Sequence, residues 1–222
     1  MIAKHIFVTG TDTEVGKTRI SVGLMSLLQQ QGLKTAGMKP IASGCEWLEG
    51  EWKNEDALAM IAQSDVPLPY TMVNPYAFEP AIAPHIAAKQ AGVTICLNTI
   101  KKCYQQISEQ AEAVVVEGAG GWLVPINDDF TMADLAQKLE LPVVLVVAIK
   151  LGCINHTLLT VESIQQKGLK LAGWVANHIS AQSESDEMID TLKQRIDAPC
   201  LGVVPCLQHN QSAHSFLQGE VK

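Results

Sequence analysis

The stretch Gly10-Thr11-Asp12-Thr13-Glu14-Val15-Gly16-Lys17-Thr18 follows an apolar run and precedes an amphipathic one. A glycine-containing turn that opens a helix points several backbone N–H groups at one place, and such a nest binds phosphate oxygens. Val15 and Gly16 would supply backbone to that nest, Lys17 would reach terminal phosphates, and the Thr18 hydroxyl would ligate magnesium. The spacing departs from G-x-x-x-x-G-K-[ST], because Thr11 stands at the first glycine position and Gly10 precedes it. Two acids, Asp12 and Glu14, also sit in a loop meant for an anion. The other reading of the same residues is a turn before an ordinary helix with a surface lysine.

A magnesium ion at such a loop needs a carboxylate from a later element. The run "AVVVEGAGG" offers Glu117 at the end of an apolar strand, where open α/β sheets place ligands. Gly118, Gly120 and Gly121 then let the backbone approach a ligand closely. A solvated strand end is the alternative. Asp56, in "NEDALA", is either a second metal ligand or a helix-start acid favoured by the dipole. Lys39, beside Ser43 in "GMKPIASG", either holds a phosphoryl group or carboxylated substrate, or ends its strand in water. Gly152, Cys153, Ile154 and Asn155 open a helix whose N–H groups suit a carboxylate, while Asn155 could equally cap that helix. Asn177 either pairs with a base or closes a turn.

These positions require a scaffold of alternating strands and helices. The sequence predicts strands over 5–9, 34–39, 113–117, 142–149, 171–177 and 200–204, and helices over 16–31, 54–64, 94–111, 131–139, 153–167 and 185–196. Gly32 and Gly168 stand where helix C-terminal caps belong. The pattern is that of an α/β fold of P-loop NTPase type, a mostly parallel sheet with helices on both faces, in one domain over 1–222. The stretch from Ile41 to Gly92 is less regular and rich in glycine and proline, as functional excursions often are.

Composition narrows the partners. A net charge of −7 argues against nucleic acid or an anionic membrane surface, both of which need a basic footprint. The N-terminus lacks the apolar core and cleavage site of a signal peptide, and no apolar run is long enough to span a bilayer. Six cysteines without metal-like spacing are expected to be buried free thiols in a reducing cytoplasm.

In order along nearly the whole chain, the segments "GTDTEVGKT", "GMKPIASG", "NEDALA", "PYAFEPAIAPHIAA", "VVVEGAGGWLVPI" and "KLGCINHTLLT" resemble the dethiobiotin synthetase family. The displaced glycine of the first loop is part of that resemblance; the segment from Cys45 to Lys53 is not. The resemblance implies ATP-dependent conversion of 7,8-diaminopelargonate and carbon dioxide to dethiobiotin, ADP and phosphate, through a carbamate and its phosphoric anhydride. It implies Lys17 and Lys39 at the transferring phosphoryl group, and magnesium on Thr18, Asp56 and Glu117. Thr13 and Ser43 would lie near the diamine or carbamate, and Glu14 beside nucleotide and substrate. The N–H groups from Gly152 to Asn155 would hold the substrate's distant carboxylate across a homodimer interface. Asn177 would read adenine, with Pro205, Cys206 and Leu207 lining the base pocket.

Two other classes share the fold. Partitioning or septum-placing switch ATPases usually carry a further lysine early in the loop, where this chain has Thr11 and Asp12. Ligases that amidate cobyrinic acid carry a glutaminase domain for which 222 residues leave no room.

Overall fold

Valine-rich runs without polar alternation need cover on both faces, and the chain supplies it. A computed structural model describes residues 3–180, 185–208 and 211–220. Its elements are β1 (His5–Gly10), α1 (Lys17–Gln30), β2 (Thr35–Met38), β3 (Ile41–Ser43), β4 (Glu46–Leu48), β5 (Glu51–Lys53), α2 (Glu55–Gln63), α3 (Tyr70–Val73), β6 (Tyr76–Phe78) and α4 (Pro84–Gln90). They continue with α5 (Leu97–Ser108), β7 (Ala113–Glu117), α6 (Met132–Leu139), β8 (Val143–Ala148), α7 (Cys153–Gln166), β9 (Leu171–Asn177), α8 (Ser185–Arg195) and β10 (Cys200–Val204).

The main sheet has the order β10-β9-β8-β1-β7-β2, with every pairing parallel. Val8 of β1 lies opposite Glu117 of β7, and Met38 of β2 lies opposite Val116. That register brings the carboxyl ends of three strands level. A strand alternates its side chains between faces. Ile6 and Val8 therefore pack with Ile20, Leu24, Met25 and Leu28 of α1 on one face. Phe7 joins Ile100 of α5 and Leu135 of α6 on the other. A third cluster buries Trp174 and Leu145 against Ile189 and Leu192 of α8.

All six expected main strands are present, with ends shifted by at most one residue. Helix α1 stops as its glycine predicts. Gly32 has a left-handed φ of 83°. The N–H groups of Gly32 and Leu33 donate to the carbonyls of Gln29 and Leu28 at 2.9 and 3.2 Å, closing a Schellman motif. The helix expected over 94–111 begins only at Leu97, because Cys96 is an extended N-cap. The excursion from Ile41 to Gly92 folds as the parallel pair β3–β6, the hairpin β4–β5 and the helices α2, α3 and α4. The cysteines depart in part from expectation. All six thiols are free, but only Cys45 and Cys153 are buried, while Cys96 and Cys206 are exposed. Among the described residues no helix is long and apolar enough to cross a membrane.

Leu24 has no exposed surface and joins α1 to the sheet. Leu24→Ala should lower unfolding stability by about 2–5 kcal/mol, read as a fall in the urea midpoint at unchanged slope.

Candidate functional site

The loop after β1 turns into α1 through Gly16, whose left-handed φ is 86°, a conformation that suits glycine. No side chain among the described residues caps α1, so its first-turn N–H groups face outward for a ligand. The loop is braced from β9, where the Asn177 amide nitrogen donates to the Val15 carbonyl at 2.8 Å. A Cβ at Gly16 would stand 2.3 Å from that nitrogen, so glycine is demanded twice.

Asp12 causes no conflict with an anion. One of its oxygens accepts from the Thr13 N–H at 2.8 Å, and the other lies 3.6 Å from Lys150 Nζ. Its carbonyl accepts from Lys17 Nζ at 2.9 Å. Glu14 is exposed at the rim with a φ of 58°, a left-handed conformation rare for a residue with a side chain. Lys17 is buried. Its pKa is lowered to about 8, first by that burial and next by the charge of Lys39.

Across the cleft, four groups meet at the strand ends. Lys39, just beyond β2, places Nζ 2.5 Å from Glu117 Oε1, 3.0 Å from Asp56 Oδ2 and 3.3 Å from the Gly118 carbonyl. The Thr18 hydroxyl donates to the same Glu117 Oε1 at 2.9 Å. Burial works against the charge of Lys39, but the Glu117 and Asp56 carboxylates outweigh it and raise its pKa. Burial likewise disfavours an ionised Asp56, yet Lys39, the Thr18 hydroxyl and Lys17 hold its carboxyl below the usual range. Lys39 and Glu117 are thus not the solvated strand ends that their sequence context also allowed.

A polar relay fixes this geometry. Asn54 caps α2 by accepting from the N–H groups of Asp56 and Ala57 at 3.1 and 3.4 Å, which sets Asp56 on the first turn. The Asn54 N–H donates to the Tyr70 hydroxyl, which donates to Asn74, whose amide nitrogen donates to the Lys39 carbonyl at 2.6 Å. One chain of hydrogen bonds therefore locks both partners of the Lys39–Asp56 pair. Sequence reading missed Asn54, Tyr70 and Asn74; only the asparagine before an acidic first turn gave a signal.

Lys39, Asp56, Glu117 and Thr18 line a cleft of about 750 Å³. Its walls include Thr13, Glu14, Gly16, Lys17, Thr18, Lys39, Ser43, Asp56, Glu117 and Gly120 from the sequence-derived set, with Arg19 and Asn54 in addition. Gly118 stands behind the wall, its N–H donating to the Val8 carbonyl. The Leu207 carbonyl accepts from Arg19 Nη1 at 2.9 Å, which ties the segment from Pro205 to Leu207 to the cleft's edge. Gly152 to Asn155 do not line this cleft. Gly152 is itself the N-cap of α7, with no side-chain cap among the described residues, so Asn155 does not serve that purpose. The Cys153 N–H donates to the Lys150 carbonyl, and its thiol packs against Met188. Ile154 and Asn155 keep their first-turn N–H groups.

The donor set suits a hard divalent cation. Glu117 Oε2 is buried without a hydrogen-bond partner among the described residues, while the Thr18 hydroxyl and, through Lys39, Asp56 gather at its other oxygen, Oε1. Among the described residues no three acidic, histidine or cysteine side chains cluster as a metal cage, so the site offers two carboxylates and one hydroxyl. That is how magnesium is held alongside phosphates.

Because a pKa of about 8 leaves Lys17 half charged at that pH and less charged above it, metal-free ATP should bind progressively more weakly as pH rises through that value. The expected limit is about tenfold per pH unit, measured by titration in EDTA. Lys17→Arg should flatten that slope.

The family model described as "AAA domain" matches residues 4–213. The chain is 52% identical over 208 residues to the ATP-dependent dethiobiotin synthetase of Cellvibrio japonicus, covering 93% of this chain and 91% of that one. It is 51% identical over 204 residues to the same enzyme of Pseudomonas aeruginosa, covering 91% and 90%. Among solved structures, the signal recognition particle receptor FtsY of Elizabethkingia anophelis aligns with TM-score 0.55 at 14% identity, over 92% of this chain and 58% of that one. MinD of Aquifex aeolicus aligns with TM-score 0.55 at 16% identity, over 92% and 83%. At such identities these two show the fold alone. The residues matched by the family model include loop, strand ends and cleft, and with synthetase relatives about half identical over nine-tenths of its length the chain belongs to the ATP-dependent dethiobiotin synthetase family.

Proposed function

We propose that this protein is an ATP-dependent ligase that closes the ureido ring of dethiobiotin from 7,8-diaminopelargonate and carbon dioxide. The observation that carries the reading is the convergence of Lys17, Lys39, Thr18, Asp56 and Glu117 on one cleft, in a chain about half identical to synthetases of that name.

One substrate amine adds to carbon dioxide and loses a proton, giving a carbamate. A carbamate oxygen attacks the γ-phosphorus of ATP, and ADP leaves with the bridging oxygen. The second amine then attacks the carbamoyl carbon, expelling phosphate and closing the ring. None of these bonds involves a protein atom, so the protein contributes positioning and charge neutralisation. Lys17 and the loop N–H groups bind the phosphates. Lys39 offsets charge on the transferring phosphoryl group and the carbamate. Ser43, whose buried hydroxyl lacks a partner among the described residues, and Thr13 hold the carbamate end. Glu14 balances positive charge at the rim. Magnesium, held by Thr18, Asp56 and Glu117, would neutralise charge on the β- and γ-phosphates.

Asn177 reads adenine through its carboxamide oxygen, with Pro205 to Leu207 against the base. Ile154 and Asn155, opening α7, take the distant carboxylate of a diamine bound mainly to the neighbouring subunit of a cytoplasmic homodimer. The chain works as one domain.

The test is ADP release by purified protein with magnesium, ATP and bicarbonate, with and without the diamine, the product being identified by mass. Diamine-dependent release with a dethiobiotin mass is expected. Hydrolysis indifferent to the diamine would overturn the reading and leave a nucleotide-dependent switch or a ligase of another amine. Lys39→Ala should cut turnover by at least about a hundredfold. Asp56→Ala should shift the magnesium titration to higher concentration, and an unchanged titration would remove Asp56 from the metal site.

A further inference from the structure

We propose that Lys39 is the resident cation of the metal position in the nucleotide-free protein. A divalent ion and the lysine then compete for Glu117 and Asp56, and Lys39 is released to the substrate side of the cleft only when the ion arrives. The inference rests on the metal assignment above and adds an order of events to it.

The geometry carries it. An ammonium group has three N–H donors. Lys39 Nζ meets three acceptors, with Glu117 Oε1 at 2.5 Å, Asp56 Oδ2 at 3.0 Å and the Gly118 carbonyl at 3.3 Å. In that pose every donor is spent on the protein, and none is left for a phosphate or carbamate. The carboxylates it holds are the two that would hold the ion. Glu117 is fully buried, with one oxygen shared between Lys39 and Thr18 and the other without a partner among the described residues. A buried carboxylate without a cation beside it is strongly destabilising. Magnesium sits about 2.0–2.1 Å from its oxygen ligands, so an ion between Glu117 and Asp56 would stand against the present ammonium position. Two cations cannot share it. The open direction for Lys39 is the cleft it already lines together with Ser43 and Lys17. A phosphoryl-binding lysine is thus withheld until the metal that must accompany the phosphates is in place.

The test uses the metal alone. Mn²⁺ is titrated into nucleotide-free protein, and the free ion is read by electron paramagnetic resonance. Lys39→Met should bind Mn²⁺ at least about tenfold more tightly than wild type, the tight site disappearing in Lys39→Met combined with Asp56→Ala. Equal or weaker binding by Lys39→Met would overturn the proposal. A second measurement needs no variant: limited acetylation of wild-type protein, followed by mass spectrometry of the Lys39 peptide. Labelling of Lys39 should rise severalfold on adding Mg²⁺, and an unchanged rate would equally overturn it. Neither experiment contains diamine or nucleotide, so failure of the ligase reading would leave both results unaffected.

Discussion

Burying a carboxylate costs heavily unless it is paired, and Glu117, with no exposed surface, sits at the end of the strand beside β1. Its charge is tolerable because Lys39 and the Thr18 hydroxyl reach the same oxygen from β2 and from α1. Three elements separated by many residues must therefore agree in position to within a hydrogen bond. The parallel register supplies that agreement, since the ends of β1, β2 and β7 finish level. Asp56 joins through its own helix start, held by the chain from Asn54 through Tyr70 and Asn74 to the Lys39 backbone. The same contact gathers a lysine, a hydroxyl and two carboxylates at the carboxyl end of the sheet.

Much of this was legible in the residues. Runs such as "VVLVVA" and "AVVVE" have one physical solution, a strand covered on both faces, and parallel pairing follows from the helices that lie between them. The phosphate loop was legible as well, because glycine, lysine and threonine at a strand-to-helix turn leave few other uses. The two acids inside it were a puzzle that only the fold resolves. Asp12 turns to its own backbone and to Lys150, a contact between loops with no sequence signature.

The excursion after Lys39 was not legible in detail, for a reason of length. Strands of three residues, as in β3 to β6, and helices of four and seven show no usable periodicity. The hairpin β4–β5 holds Trp47 against Trp52 edge to face at 5.1 Å, yet two tryptophans in a polar stretch carry no pattern beforehand. The role of Asn177 illustrates a different limit. Its strand end was foreseeable, but its grip on Val15 spans 162 positions and depends on β8 lying between β9 and β1. Gly16 looked like a phosphate-loop glycine and is also one that Asn177 leaves no room to change.

The placement of β1 has a consequence for how the chain is made. Its sheet neighbours are β7 and β8, which begin at Ala113 and Val143. Of the described strands β1 leaves the ribosome before the others, and it waits for a neighbour in its sheet until about half of the chain has followed it. At about 5–20 residues per second, that wait lasts seconds, and β1 with the phosphate loop must remain unaggregated throughout. The nucleotide cradle, early in the sequence, is consequently completed only after the much later β7, β8 and Asn177 have been made.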